Sequence, residues 1–258
     1  MVPDIHVICL ESKFTERGAV TLAFLASNID KHLYRTLNKF TAVTPSDFVV
    51  EDKASVRQLT IIKGRKGRIE HADMSSRAQV ACALSHMALW KLCADTNQPI
   101  VVVEDDVRPR NMSERLKQAS GLKGDVVLLS CANLVRNDQT KHVSSFSGTG
   151  SYLITPRGAR TLLKHAHPVS MHVDYYMSTC IAAYNLNVMA VDNARGQWDM
   201  PSSKLSTLEH TKFVFDIQVP CLELVSLMLS LVLALCVLIF LGCGVAMMCT
   251  WRRKHNPH

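Results

Sequence analysis

The sequence lacks the cysteine and histidine patterns that mark metal-binding and redox modules. Its nine cysteines form no Cys-x-x-Cys pair and no zinc-type spacing. His165, His167 and His172 cluster around Pro168 without the regular spacing of zinc ligands. Several cysteines lie in apolar stretches typical of buried free thiols. The sequence therefore argues against a zinc site, and nothing in it requires an oxidising compartment.

Internal repeats, low-complexity segments and a strong charge imbalance are also absent. The formal net charge is +7, and Arg252, Arg253 and Lys254 contribute three of these charges within the last eight residues. The remaining +4 is too small to predict a nucleic-acid partner. The densest basic run, residues 63–68, is typical of a solvated loop, with contact to phosphates or an anionic partner as the alternative.

Charged residues are missing altogether from residues 224–250. A bilayer core of roughly 30 Å needs about 20 helical residues, and this run exceeds that length. A buried helix of a water-soluble protein would be shorter and would carry a polar stripe. We therefore predict a linker over 209–223, one transmembrane helix over 224–250 in the lipid bilayer, and a short basic tail over 251–258 anchored beside Trp251.

The sequence leaves the orientation of this single-pass protein open. No apolar leader precedes the first predicted strand, which favours tail-first insertion with the domain in the cytosol. The basic residues after the apolar run favour the opposite orientation. We expect an endomembrane of the endoplasmic reticulum or Golgi type. There the sequon at Asn111 would carry a glycan only if the domain were lumenal.

Helical and strand-like apolar patterns alternate along residues 1–208. Helices are predicted over 16–28, 77–95, 156–165 and 174–183, with a further helix beginning at a capping box of Asn111 and Glu114. Strands are predicted over 5–10, 40–43, 100–103, 125–130, 149–154 and 188–191, and residues 45–72 are polar and loop-rich. This alternation predicts an α/β domain with a mostly parallel sheet and helices on both faces.

Three adjacent carboxylates, Glu104, Asp105 and Asp106, follow directly on the buried strand predicted over 100–103. Ligands of open α/β sheets bind beyond the carboxyl ends of the strands. If the extended backbone continued, Glu104 and Asp106 would point the same way. Oxygen ligands of this kind suit Mg²⁺ or Mn²⁺, which neutralises a diphosphate. The alternative interpretation is an acidic turn exposed to water.

The residues around this triplet resemble glycosyltransferase family 25, which includes lipooligosaccharide and collagen galactosyltransferases. The similar stretches occur in the family's order and span almost all of residues 1–208. They are Cys-Ala-Leu-Ser-His at 82–86 with Trp90, Val-Val-Glu-Asp-Asp-Val at 102–107, Gly-Thr-Gly-Ser-Tyr-Leu-Ile-Thr-Pro-Arg-Gly-Ala at 148–159, and Asp-Tyr-Tyr-Met at 174–177. Residues 40–43 and Gln197 with Ser202 and Ser203 also fit.

The resemblance implies an enzyme with a GT-A-like nucleotide-sugar fold, which the predicted transmembrane helix would tether to the membrane. Such an enzyme would transfer a sugar, galactose by analogy, from a UDP-sugar to a hydroxyl of a glycan or protein acceptor, with inversion. Inversion requires a carboxylate base, for which Asp174 is the candidate; ligation of the metal or the donor sugar is the alternative for this residue. Asp106 and Glu104 are the expected ligands of Mn²⁺ or Mg²⁺. Glu104, Asp105, His86 and Gln197 are the expected donor-binding residues, although His86 also suits a histidine satisfied within the fold.

The chain departs from the family pattern in three places. Ala78-Gln79 stands where the family has Gly-Glu, Ala81 replaces the next glycine, and Cys9 replaces an asparagine in the first strand. The loss of a carboxylate and an amide suggests a second hypothesis. On this hypothesis the chain is a catalytically inactive relative that acts as a membrane-bound interaction protein.

Overall fold

The computed structural model describes residues 2–10, 15–64, 70 and 72–195. All of them belong to one compact unit. The predicted linker, transmembrane helix and basic tail, together with Gln197, lie outside the described residues. Among the helices that are described, none is long and apolar enough to cross a bilayer.

A six-stranded sheet forms the centre of the described chain. Its strands lie in the order β2-β1-β3-β7-β4-β8, and β5 and β6 pair separately as a two-stranded sheet. The strands are β1 (Asp4–Cys9), β2 (Leu37–Thr41), β3 (Ile100–Glu104), β4 (Val126–Ser130), β5 (Asn133–Arg136), β6 (Val143–Ser147), β7 (Ser151–Ile154) and β8 (Val188–Ala190).

Seven α-helices and one 3₁₀ turn accompany these strands in the described ranges. The helices are α1 (Thr15–Asn28), α2 (Val50–Lys53), α3 (Val56–Lys63), α4 (Arg77–Thr96), α5 (Met112–Gly121), α6 (Pro156–His165) and α7 (Val173–Tyr184), and the 3₁₀ turn is Lys31–Leu33. All side chains from Ile100 to Val103 are buried, as expected for a strand covered on both faces.

The sheet is mostly parallel, with one exception that matters for the site. β1 runs parallel to β2 and β3, and β4 runs parallel to β8, whereas β7 is antiparallel to both β3 and β4. The register pairs Ile8 with Glu104 and Val103 with Ser151. The ends of β1 and β3 and the beginning of β7 therefore meet at one edge of the sheet. A purely parallel arrangement would have placed the beginning of β7 at the opposite edge.

The helix starts with the strongest sequence signals are confirmed. Ser76 caps α4 in a capping box with Gln79, and the Thr155 side chain caps α6 with Pro156 at its first position. These caps satisfy backbone N–H groups that have no partner within the helix. The long helix α4 is thereby fixed beside β3 and β7, where it carries His86 and Trp90.

One local prediction was incomplete and another is wrong. Residues 45–72, predicted to be loop-rich, also contain α2 and α3. The Asn111 side chain makes no cap hydrogen bond to α5, because Asn111 has φ 54° and ψ 41° instead of the extended conformation of an N-cap. The β5–β6 hairpin was not predicted either. Its strands are half-exposed and polar, and β6 reaches the buried interior through Val143 and Phe146.

Candidate active site

The acidic triplet lies at the carboxyl end of β3, as predicted, but as a turn. Glu104 is the last residue of β3, and the Val107 N–H donates to the Glu104 carbonyl over 3.2 Å. The strand alternation that was expected to align Glu104 with Asp106 therefore does not continue beyond Glu104. The turn instead gives each of the three carboxylates a different environment.

Asp105 is held inside the fold. Its Oδ1 lies 2.5 Å from Arg17 Nη2, its Oδ2 accepts from the Leu10 N–H over 3.1 Å, and its carbonyl accepts from the Thr21 hydroxyl over 2.7 Å. Burial raises the pKa of Asp105, and the Leu10 N–H and Arg17 counteract part of that rise. Leu10 and Arg17, near the start of the chain, thus bind both carboxylate oxygens of Asp105. This geometry makes Asp105 the residue that joins β1, α1 and β3, although it was predicted to bind a donor.

Glu104 faces a more open environment, with 28% of its side chain exposed. Its Oε1 accepts from the Thr149 hydroxyl over 2.6 Å and lies 3.4 Å from His86 Nε2. Burial alone would raise the pKa of Glu104, but the His86 ring directed at it and the Thr149 hydroxyl bring that pKa below its ordinary value. Glu104 is therefore held as an oriented carboxylate with one oxygen, Oε2, free of protein hydrogen bonds within the described residues.

Asp106 carries the most perturbed carboxyl of the triplet. Burial raises its pKa to about 7, and the neighbouring charges of Glu104 and Asp105 add to the rise while Arg17 opposes it. Two carboxylates that destabilise each other's charge in this way form a site of excess negative potential. A divalent cation between Glu104 and Asp106 would relieve this repulsion, as the sequence suggested.

His86 is fully buried on α4. Its Nδ1 lies 2.8 Å from the Tyr152 hydroxyl, and Trp90 Nε1 donates to the same hydroxyl over 2.9 Å. The imidazole and phenol rings are stacked, with centroids 5.8 Å apart. His86 is therefore bonded within the fold through Nδ1, and its Nε2 is directed at Glu104. Its predicted role in donor binding stays a prediction.

Asp174 lies in the first turn of α7, and the loop before β7 connects it to the acidic turn. The Gly148 N–H donates to Asp174 Oδ2 over 2.8 Å, while the next residue, Thr149, donates to Glu104. The Tyr175 N–H donates to Asp174 Oδ1 over 2.8 Å. Two neighbouring loop residues thus orient the two carboxylates, which places Asp174 beside the triplet.

The half-buried thiol of Cys82, on α4, is influenced by the same carboxylates. Burial raises the pKa of this thiol, and the charges of Glu104, Asp174, Asp106 and Asp105 raise it further. All four carboxylates therefore lie within electrostatic range of one point on α4. The thiol itself stays protonated and is a poor nucleophile.

Gly148 is required by the geometry of this loop. Its φ is +81°, and a Cβ at this position would lie 2.8 Å from the backbone N of Ala132. The sequence singled out residues 148–159 as a motif without giving Gly148 or Thr149 a role. Arg17 carried no sequence signal at all, because its partner Asp105 is 88 residues away along the chain.

Comparison with known proteins shows the family of the chain. The family model described as glycosyltransferase family 25 (LPS biosynthesis protein) matches residues 3–177, which is more than half of the chain. A protein of Haemophilus influenzae named "Putative glycosyltransferase" is 26% identical over 172 residues, covering 62% of this chain. The aligned part spans 56% of the length of that relative. The matched region contains β1, the acidic turn, the loop before β7 and Asp174.

Proposed function

The chain belongs to glycosyltransferase family 25, and we propose from this premise that it is a metal-dependent enzyme transferring a sugar from a UDP-sugar to a hydroxyl of a glycan or protein. Galactose is the favoured sugar. The observation that carries the proposal is the clustering of Glu104, Asp106 and Asp174 at the carboxyl edge of the sheet, where the loop before β7 holds two of them.

The residues present fit a divalent cation of the Mg²⁺ or Mn²⁺ type. Within the described residues, no group of three or more His, Cys, Asp or Glu side chains is placed to hold a metal. Sites for these ions in nucleotide enzymes use one or two carboxylates, with substrate phosphates and water completing the shell. Glu104 and Asp106 would supply the carboxylates. When bound, the cation would neutralise the diphosphate of the donor.

The chain's own residues supply the remaining steps. We assign donor binding to Glu104, which Thr149 orients, and the fully buried His86 would act through its contact with Glu104. Asp174 accepts one backbone N–H at each oxygen, and a carboxylate keeps further lone pairs for a hydroxyl proton. We assign to Asp174 the removal of the acceptor hydroxyl proton as that oxygen attacks the anomeric carbon with inversion. Gln197, the fourth expected donor-binding residue, keeps this role as a prediction from sequence.

The three departures from the family pattern have structural explanations. Gln79 Oε1 accepts from the N–H groups of Ser75 and Ser76, which a glutamate carboxylate would do equally. Cys9 is buried against Gly18 of α1, and Ala81 is buried in α4. None of the three is a carboxylate or hydrogen-bonds to one in the described part of the chain through a contact given above. We therefore keep the enzyme as the proposal, with the inactive relative as its alternative.

The test uses the full-length chain and a panel of UDP-sugars with and without Mn²⁺. We expect UDP release that requires the metal, and we expect Asp106→Ala to abolish it. Asp174→Asn should lower kcat by about 10²–10⁴-fold with little change in UDP binding. The matched control is Asp95→Ala, which removes an exposed carboxylate on α4 that pairs only with Lys91 among the described residues. Calorimetry with UDP and Mn²⁺ that gives no binding heat would favour the inactive relative.

We also propose that residues 224–250 tether the enzyme to an endomembrane of the endoplasmic reticulum or Golgi type. The support is the length of the uncharged run and the basic residues that follow it. The full chain should stay with the membrane pellet after alkaline carbonate washing. Leu235→Arg combined with Leu238→Arg should release it, because each arginine costs about 2.5–3.5 kcal/mol at the centre of a span. A glycan on Asn111 in eukaryotic cells would place the domain in the lumen.

A further inference from the structure

The β5–β6 hairpin has one face toward the core and one face toward solvent. Leu134 and Phe146 form a cross-strand pair on the inner face, where Phe146 is buried and Leu134 packs against the core. Side chains alternate along a strand, so the neighbouring pairs of the hairpin point the other way. The exposed hairpin face consists of four exposed or half-buried side chains: Asn133, Val135, Ser145 and Ser147.

Helix α7 lies along the free edge of β6. The Phe146 N–H donates to Ser178 Oγ over 3.1 Å, and the Gly148 N–H, two residues further on, donates to Asp174 Oδ2 over 2.8 Å. Asp174 and Ser178 both belong to α7 and are about one helical turn apart. Two hydrogen bonds therefore hold the hairpin against the helix that carries the proposed catalytic base.

The segment that follows β6 joins the exposed hairpin face to the acidic turn. Ser147 Oγ, on the exposed face, accepts from Asn133 Nδ2 over 3.0 Å. The next residue along the chain donates to Asp174, and the one after it, Thr149, donates to Glu104 over 2.6 Å. Consecutive residues thus contact the hairpin face, the proposed base and the proposed metal site, in that order.

An inverting transfer requires the same order of groups. The acceptor oxygen attacks the anomeric carbon on the face opposite to the leaving group. The leaving diphosphate would be bound with the cation at Glu104 and Asp106, and Asp174 has to contact the acceptor hydroxyl to remove its proton. The acceptor therefore belongs on the side of Asp174 that faces away from the cation, and the exposed hairpin face adjoins Asp174 through Ser147.

We propose that the exposed hairpin face is the acceptor subsite and binds a neutral sugar of a glycan. Its four side chains carry no charge, and an amide and a hydroxyl both donate and accept hydrogen bonds, as sugar hydroxyls do. Beyond their mutual hydrogen bond, Asn133 keeps its Oδ1 and Ser147 its hydroxyl proton for a ligand, as far as the described residues are concerned. Val135, 60% exposed, offers apolar contact to the C–H groups of a sugar ring. The transfer to this sugar rests on the proposed function, whereas its binding does not.

Saturation-transfer NMR on the full-length chain tests sugar binding without UDP, Mn²⁺ or turnover. The probes are methyl β-galactoside, methyl β-glucoside, methyl N-acetyl-β-glucosaminide and a short peptide with a serine hydroxyl. We expect at least one glycoside to bind. Asn133→Ala combined with Ser147→Ala should raise its Kd by roughly five- to hundredfold, the range for the loss of two neutral hydrogen bonds.

The matched control is Ser27→Ala combined with Asn28→Ala. These exposed side chains at the end of α1 donate to carbonyls of their own helix, and the control should bind the glycoside as the parent does. Absence of glycoside binding, or equal Kd values for the double variant at 133 and 147 and the control, would overturn the proposal. Binding of the peptide alone would overturn the choice of a glycan.

Kinetics with UDP-galactose and Mn²⁺ distinguishes this proposal from the proposed function. The double variant at 133 and 147 should raise the KM for the bound glycoside by a similar factor, with little change in the Kd for UDP. A parent that releases UDP while this KM stays unchanged in the double variant would refute the acceptor subsite and keep the enzyme. A parent that binds the glycoside but releases no UDP would refute the enzyme, and loss of that binding in the double variant would still support the sugar site.

Discussion

Arg17 Nη2 and Asp105 Oδ1 form an ion pair of 2.5 Å with only 7% of either side chain exposed. Arg17 belongs to α1 and Asp105 to the acidic turn after β3, so this contact fixes the first helix to the edge of the sheet that carries the site. The same turn contributes Glu104 and Asp106 to the proposed metal site. The ion pair therefore links the stability of the fold to the placement of the functional carboxylates.

Replacing Arg17 with methionine should destabilise the protein severely. The substitution leaves Asp105 buried without its cation, and breaking a buried pair from one side costs about 3–5 kcal/mol. Urea unfolding followed by circular dichroism measures the loss. The control is Arg35→Met, which removes an exposed partner of Asp4 and should cost below about 1 kcal/mol. Equal small losses in the two variants would contradict the structural role of Arg17.

The elements predicted well from sequence are those with strong local signals. α4 has a long apolar helical period, and β3 begins with four β-branched residues. α3 was missed because its stability comes from distant contacts. The buried side chain of Gln58 bonds to Ser170 and Met74, a connection that apolar periodicity does not encode.

The sequence predicted where in the fold the candidate site lies but not how its residues contact one another. The end of a buried strand indicates where ligands bind in an α/β sheet, and this located Glu104 and Asp106. The direction of β7 was not predictable, because a fully buried strand has the same sequence pattern in parallel and antiparallel sheets. That direction brings Thr149 to Glu104. The role of Asp105 likewise depends on Arg17, a partner distant in sequence.

Asp106→Asn should make the metal-free protein more stable at alkaline pH. The native carboxyl keeps its proton up to about pH 7, whereas in the unfolded chain it ionises near pH 4, so the free energy of unfolding falls as pH rises between these values. The variant removes this loss. Allowing for partial exposure of the side chain, we expect a gain of about 1–2 kcal/mol at pH 8 and little change at pH 4. Urea unfolding in EDTA across this pH range measures it.

A control variant and one contrary result complete the test of Asp106→Asn. Asp95→Asn is the control, because it replaces an exposed carboxylate of α4 that is paired with Lys91. If the free energy of unfolding of Asp106→Asn matches that of the parent at every pH, then burial and Glu104 do not perturb the Asp106 carboxyl. The site would then not carry excess negative potential.

Gly148→Ala should damage both the fold and the site. The position has φ +81°, and the added Cβ would lie 2.8 Å from the Ala132 backbone N, so we expect a loss of roughly 2–4 kcal/mol. The displaced N–H would no longer orient Asp174. Gly121→Ala is the matched control, since its Cβ meets nothing within 4 Å at the end of α5 and should be neutral or slightly stabilising. Thermal unfolding compares the stability of the two variants. If Gly148→Ala were as stable as Gly121→Ala, the loop at position 148 would not require glycine.

Thr149→Val tests whether a single hydroxyl orients Glu104. Valine matches threonine in shape but cannot donate to Glu104 Oε1, which now accepts over 2.6 Å. The lost hydrogen bond should cost about 1–2 kcal/mol in stability and lower the affinity for UDP with Mn²⁺ by about five- to tenfold. Thr149→Ser should retain binding because it keeps the donor. Thr161→Val removes only an intrahelical bond to the Arg157 carbonyl and should bind as the parent does. Equal affinities for the valine and serine variants at position 149 would mean that Glu104 is oriented without this hydroxyl.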